Sequence, residues 1–215
     1  MELLNSRKTI FELLKDRGYD ITKYDIFSSG ELDLLNENNQ LDLNIQNDDG
    51  TKQIIIKYLN KKISKNTFLK TVYNEFDKID NKDIYSEIIF IMNTTDPVGP
   101  ELLNTNRKLG EDYDYEYING LQDICNKYFD STSKYSQIFH IKHLAINITK
   151  HENVPKFILM NSEEEKKILD DYKITKNKLP CILRNDPISK YYGLKINNIV
   201  KIIRNNNSIF YRRCK

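Results

Sequence analysis

The sequence predicts a mixed α+β chain of two domains. Residues 1–149 form an α/β domain on a mixed sheet, and residues 150–215 a small α/β domain with two short helices. Three observations point there. Along the first 150 residues, stretches with apolar residues at helical spacing alternate with stretches of period two, as in helices interleaved with strands. After Lys150 the chain carries its own set of caps, prolines and turn residues, enough for a separate core. Charge divides at the same place, with 14 Lys/Arg against 7 Asp/Glu in residues 151–215 and 19 against 24 in residues 1–150.

Taken in order, Leu3, Leu4, Ile10, Phe11, Leu13 and Leu14 recur at near-helical spacing and Gly18 supplies a stop, so residues 3–17 are expected to be an amphipathic helix. From residue 21 to 56 the chain reads as an antiparallel meander, with Leu32/Leu34 and Leu41/Leu43/Ile45 as period-two pairs and loops at 36–39 and 47–50. It leads into a more buried strand over 53–59. Residues 67–79 carry Phe68, Leu69, Val72, Phe76 and Ile79 on one side of a helix, and residues 88–92 form a short buried strand. Residues 93–130 read mostly as a surface insertion, broken at Asp96-Pro97-Val98-Gly99-Pro100, acidic and tyrosine-rich at 111–116, with a helix over 121–129. Residues 131–136 are expected to be a polar link, and Leu144, Ile146 and Ile148 a last strand of the first domain.

In the second domain, Ser162 and Glu165 have the spacing of a capping box, with Ile168, Leu169 and Tyr172 on the buried side of the helix that follows. Pro155 and Pro180 stand at the start of strands, where a missing N–H does least harm. Asp186 is an N-cap, Pro187 a first helical residue and Gly193 a left-handed stop, leaving a helix of two turns at most. Residues 199–204, β-branched at four of six positions, make a strand with faces Ile199/Lys201/Ile203 and Val200/Ile202/Arg204. Asn205, Asn206 and Asn207 turn the chain and residues 209–213 return as a hairpin.

The motifs His151-x-x-Val154-Pro155-Lys156, the Ser162–Leu169 helix, Leu179-Pro180, Asp186-Pro187-Ile188, Tyr192-Gly193-Leu194-Lys195, residues 199–204 and Tyr211-Arg212 fall in order over about 65 residues. Together they resemble the small subunit shared by eukaryotic nuclear RNA polymerases I, II and III, which has an archaeal counterpart. Lys15-Asp16-Arg17-Gly18-Tyr19 extends the resemblance to the front of the chain. The sequence departs from that pattern at Asn197-Asn198, where relatives have a basic residue and Gly, and in a tighter final hairpin; Asn tolerates positive φ, so the turn is expected to survive.

The resemblance implies a non-catalytic subunit of a multisubunit DNA-dependent RNA polymerase, with no cofactor and no metal of its own. Residues 150–215 would be an assembly domain docking on the largest subunit, beside other polymerase subunits. Lys201, Arg204, Tyr211 and Arg212 are its expected contacts, and Asp186, Pro187 and Gly193 hold the helix. Residues 1–149 would be part of the jaw near downstream duplex DNA. Lys57, Lys61, Lys62 and Lys65 are offered as its phosphate contacts, weak and effective only within the complex. Cellular relatives are nuclear, whereas the Lys, Asn and Ile bias of an AT-rich genome also suits a large DNA virus working in host cytoplasm and packaged in virions.

Composition narrows the alternatives. Hydrophobic content of 39% with 30% charged residues reads as globular. The longest apolar runs fall far short of the roughly 20 residues of a membrane span, and no membrane partner or homo-oligomer is expected. Cys125, Cys181 and Cys214 are odd in number and widely spaced, which fits a reducing compartment. The one enzyme-like pattern is Ser29-Gly30-Glu31-Leu32-Asp33 on a strand with Lys57 on a neighbour, the outline of a restriction-type nuclease site. It lacks an acid at Ile55, two before the lysine, and its blander reading is a solvated strand face. A free-standing DNA-binding module is the other alternative. His140 and His143 are expected on opposite faces of a strand, and His151 as a hydrogen-bonded structural residue.

Overall fold

The computed structural model describes residues 1–24, 27–47, 50–79, 84–94 and 111–215, the side chains of 111–115 excepted. The chain divides into two compact units, Met1–Ile146 and Asn147–Lys215. The break expected at Asp96-Pro97-Val98-Gly99-Pro100 lies outside the described residues, as do the side chains of most of the acidic tyrosine-rich patch.

The first unit opens with α1 (Glu2–Asp16), closed by Arg17 and by Gly18 at φ 84°. Its apolar stripe buries Leu3, Ile10, Phe11, Leu13 and Leu14, and Arg7 is buried among them. The Arg7 guanidinium donates to the Leu41 carbonyl at 2.7 Å and to the Tyr58 hydroxyl at 3.3 Å, and lies over the rings of Phe11 and Tyr58. Next comes α2 (Ser29–Glu37), where a meander strand was expected. Ser28 and Glu31 close a reciprocal capping box, which fixes the helix start. Leu32 is buried and Leu34 is exposed, so the apparent alternation of two leucines does not mark a strand.

The strands β1 (Leu43–Gln46) and β2 (Lys52–Leu59) pair antiparallel. From β2 the chain crosses through α3 (Lys65–Asp77) to β3 (Tyr85–Met92) and through α4 (Glu111–Thr132) to β4 (Tyr135–His140), each parallel to the strand before it. The resulting order is β1-β2-β3-β4. Period two sends Ile88, Phe90 and Met92 to the α3/α4 side, where they meet Phe68, Val72, Phe76, Ile118, Leu121 and Cys125. The register places Ile54, Ile56, Tyr58, Ile89, Ile91, Gln137 and Phe139 on the other side, the side on which Arg7 meets Tyr58 and Arg17 meets Gln137.

Strand β4 corrects two expectations. Residues 135–136, read as part of a polar link, are strand, and no strand forms at Leu144, Ile146 and Ile148: Leu144 ends one 3-10 turn, Ile141–Leu144, Ile148 opens another, Ile148–Lys150, and Ile146 lies between them. Ile146 is 77% exposed, so those residues face no common core. Two polar groups of β4 find their partners on other elements. Gln137 Oε1 accepts from the Arg17 guanidinium at 2.7 Å, and Gln122 of α4 reaches the edge to accept from the Ile138 N–H at 3.0 Å. A strand that buries a glutamine against an arginine from a distant element is illegible to a hydrophobic pattern.

The second unit is a mixed sheet of β5 (Lys156–Leu159), β6 (Cys181–Ile182), β7 (Ile199–Ile203) and β8 (Ile209–Cys214) in the order β5-β7-β8-β6. Strands β5/β7 and β7/β8 are antiparallel, and β6/β8 parallel. One face meets α5 (Ser162–Tyr172), with Met160, Leu179 and Ile199 at its core; the other has Ile182, Leu194, Val200, Ile202 and Cys214, with Tyr192 of α6 (Pro187–Tyr192) against them. The helix α5 starts one residue earlier than expected. Asn161 is its N-cap and Glu164 closes the box, while Tyr172, expected to be buried, is 61% exposed. The punctuation of α6 is as read from sequence: Asp186 accepts from the Ile188 N–H at 2.8 Å, Pro187 is the first helical residue and Gly193 stands at φ 64°. Asn197 and Asn207 take positive φ at the turns before and after β7.

Candidate docking surface

The residues expected to contact a partner all lie on the β7–β8 hairpin, but not on one face. Opposite Lys201 in the register stands Tyr211, and opposite Val200 stands Arg212. Lys201 and Tyr211 therefore share the α5 side, whereas Arg212 shares the other with Phe210 and Arg204. Tyr211 is half-buried, its ring 6.0 Å from that of Tyr172. Burial, with Tyr172 and Asp171 nearby, holds its phenol above the ordinary value. Arg204 is exposed, its guanidinium 4.2 Å from the centre of the Phe210 ring. Such stacking leaves its N–H groups pointing outward for a carboxylate. Asp186, Pro187 and Gly193 act at one remove: they fix both ends of α6, and the Leu194 N–H returns to the Ser189 carbonyl at 2.9 Å.

One residue that sequence reasoning placed wrongly organises this unit. Glu165, read as the partner of Ser162 in a cap, instead points inward and is buried. Its Oε1 accepts from the Ile199 N–H at 2.9 Å and its Oε2 holds the Lys176 ammonium. The carboxylate thus ties α5 to the first residue of β7. The triplet Glu163-Glu164-Glu165 was the available signal, since a helix start needs only one of the three for its cap.

In the first unit the four lysines divide differently. Lys61, Lys62 and Lys65 follow β2 and open α3, with Lys61 and Lys65 exposed and Lys62 half-buried over the Tyr117 ring at 5.9 Å. The Lys65 stem passes so near Gly120 that a Cβ there would stand 3.0 Å from its Cε. Lys57, within β2, is held by Asp42 at 2.7 Å and Glu75 at 3.3 Å. Burial works against its charge, but Asp42 and then Glu75 carry its pKa above the ordinary value. Its ammonium is thus already neutralised by carboxylates.

The nuclease-like pattern does not assemble as expected. Glu31 and Asp33 lie on α2 rather than on a strand, and Glu31 is engaged with Ser28, whose backbone N–H holds its carboxyl below the ordinary range. His140 ends β4 and His143 lies in the 3-10 turn after it, so the two do not alternate along a strand; their ring centres are 5.8 Å apart. His140 Nδ1 accepts from the Lys142 N–H, and His151 Nδ1 from the Asn153 N–H, both at 3.2 Å. Among the described residues no group of three or more His, Cys, Asp or Glu is placed to hold a metal ion.

The second unit is thus a sheet of four strands with α5 and α6 on opposite faces and a hairpin whose Lys201, Arg204 and Arg212 have no carboxylate partner among the described residues. Residues 146–214 match the family described as RNA polymerase Rpb5, C-terminal domain. The whole chain is similar to the Dictyostelium discoideum protein named DNA-directed RNA polymerases I, II, and III subunit rpabc1, with 29% identity over 217 residues, 99% of this chain and 96% of the relative. The corresponding subunits RPABC1 of Caenorhabditis briggsae and Caenorhabditis elegans are each 44% identical over 61 residues, 28% of this chain and 29% of theirs. The family resemblance read from the motifs is therefore borne out.

Proposed function

We propose that this chain is a non-catalytic assembly subunit of a multisubunit DNA-dependent RNA polymerase. Its second unit docks on the largest subunit, and its first forms part of the jaw beside downstream DNA. The observation that carries the reading is similarity along 99% of the chain to a subunit named for RNA polymerases I, II and III. In this reading nucleotide addition belongs to the large subunits, and this chain positions surfaces. Docking draws on the exposed cations of the β7–β8 hairpin, which suit charge-assisted hydrogen bonds to acidic groups.

The first unit contributes little affinity for DNA alone, because residues 1–150 carry more acidic than basic groups and each phosphate contact competes with them. Lys61, Lys62 and Lys65 act there through position, at an effective concentration set by docking. The compartment is the nucleus for a cellular protein, or host cytoplasm and virion for a viral one; mass spectrometry of nuclei and virions separates these.

Affinity purification of the tagged full-length chain from its native source tests the proposal. Recovery of the large polymerase subunits in equal proportion is expected, and recovery without them refutes it. Changing Lys61, Lys62 and Lys65 to Ala should weaken retention of downstream DNA in the assembled enzyme and leave assembly intact.

A further inference from the structure

The order β5-β7-β8-β6 leaves β5 at one edge of the second unit's sheet. Its register with β7 fixes which backbone groups point outward. Met160 donates to the Ile199 carbonyl, and counting back by twos along the pairing makes Ile158 and Lys156 the residues bonded to β7. Phe157 and Leu159 lie between them, so their N–H and C=O groups face away from the sheet. Among the described residues no side chain or neighbouring strand pairs with them. Side chains at the same two positions are apolar, Leu159 being 44% exposed.

At the start of β5 the edge meets a cleft of about 340 Å³ lined by Asn153, Pro155, Arg204, Asn205 and Asn206. None of these lining residues is acidic. No carboxylate among the described residues pairs with Arg204, or with Arg212, which shares its face of the sheet with Phe157 and Leu159. Hydrogen-bonding edge, half-exposed apolar side chains and unpaired cations therefore adjoin one another.

We propose that the β5 edge receives an extended segment of a partner protein as a fifth strand, with apolar residues beside Phe157 and Leu159 and a carboxylate seated at Arg204. Main-chain bonds to the two outward residues supply the attachment, and the Arg204 cleft selects an acidic segment in one register. A second copy of this chain is the wrong occupant, because Pro155, with no N–H to give, stands at the head of β5 and is the usual guard against pairing of two such edges. The proposal rests on the reading that this unit docks on a large polymerase subunit, and gives that docking its chemistry.

Amide hydrogen exchange on the full-length chain, free and within polymerase purified through it, tests this. Protection of the Phe157 and Leu159 amides only in the assembly is expected, with the Ile158 amide protected in both. If polymerase is recovered but those two amides exchange as in the free chain, the fifth strand is overturned while docking stands. If no large subunit is recovered, the docking reading fails and this proposal with it. Protection of the two amides in a dimer of the free chain would assign the edge to self-association and overturn the proposal.

A variant adds an independent arm. Leu159→Pro removes an outward N–H and a half-exposed side chain but none of the bonds from β5 to β7, so the melting temperature should hold while polymerase recovery falls about tenfold. Arg204→Glu should lower recovery at least as much. Undiminished recovery with both changes combined would also overturn the proposal.

Discussion

Replacing Glu165 by Ala should loosen the second unit more than any surface change around it. The substitution strands the Ile199 N–H, on a residue with no exposed surface, without an acceptor, and releases Lys176 from its carboxylate. A hydrogen bond to a charged group contributes about 1.5–3 kcal/mol, and the half-exposed ion pair adds about 0–1 kcal/mol, so the loss is about 3 kcal/mol. In a unit of this size about 3 kcal/mol lowers the melting temperature by roughly 12–24 °C. Glu165→Gln keeps an acceptor for Ile199 and gives up only the charge, so it should cost about 1 kcal/mol. Thermal unfolding of the full-length chain, followed by circular dichroism, reads both. Were Gln as harmful as Ala, the charge on Lys176 and not the bond to Ile199 would be the important contact. A shift under about 3 °C for Ala would remove Glu165 from the account altogether.

Three further outcomes are expected. Lys173 ends α5 in the left-handed conformation, at φ 52°, so Lys173→Gly should raise stability by about 1 kcal/mol in the same melts. In the first unit, burial disfavours the Glu75 charge, but Lys78 and Lys57 together bring its pKa below the ordinary 4.5. Its contribution is thus present above that value and lost as pH falls through the lower folded one; the stability difference from Glu75→Gln should be about 1 kcal/mol at pH 7 and shrink toward pH 3, and a constant difference would contradict the assignment. Of the three thiols, Cys181 alone is exposed; Cys125 and Cys214 are buried, and burial pushes the Cys214 thiol up to about 11. A thiol reagent at pH 8 should therefore label one equivalent rapidly, and two fast equivalents would be inconsistent with this burial.

What could be read in advance depended on whether a residue's role was local. Asp186, Pro187 and Gly193 each act within one turn of their own position, and α6 has the bounds their chemistry dictates. The tripeptide Asn205-Asn206-Asn207 marks its hairpin for the same reason. Leu32 and Leu34 misled because two apolar residues fit a strand as well as the face of a short helix, while the deciding contact, Ser28 with Glu31, is a cap. At β4 the information was not local at all: Gln137 is at home in a core because Arg17, 120 residues earlier, lies beside it. The residues expected to contact a partner show the same limit. Period two separates Lys201 from Arg204 on the sequence itself, but that Arg204 stacks on Phe210 and borders a cleft with Pro155 depends on how three strands align.

The position of β8 bears on how the protein is made. It pairs with β7 along one side and with β6 along the other, and the Cys214 and Lys215 N–H groups bond to the Asn198 and Ile182 carbonyls. Every strand of the first unit's sheet precedes residue 141, so that sheet can close while later residues are still being added. The second sheet has a gap at its centre until residues 209–214 leave the ribosome. Until then β6 has no neighbour and β7 only β5, leaving apolar strands open to incorrect pairing or to chaperones.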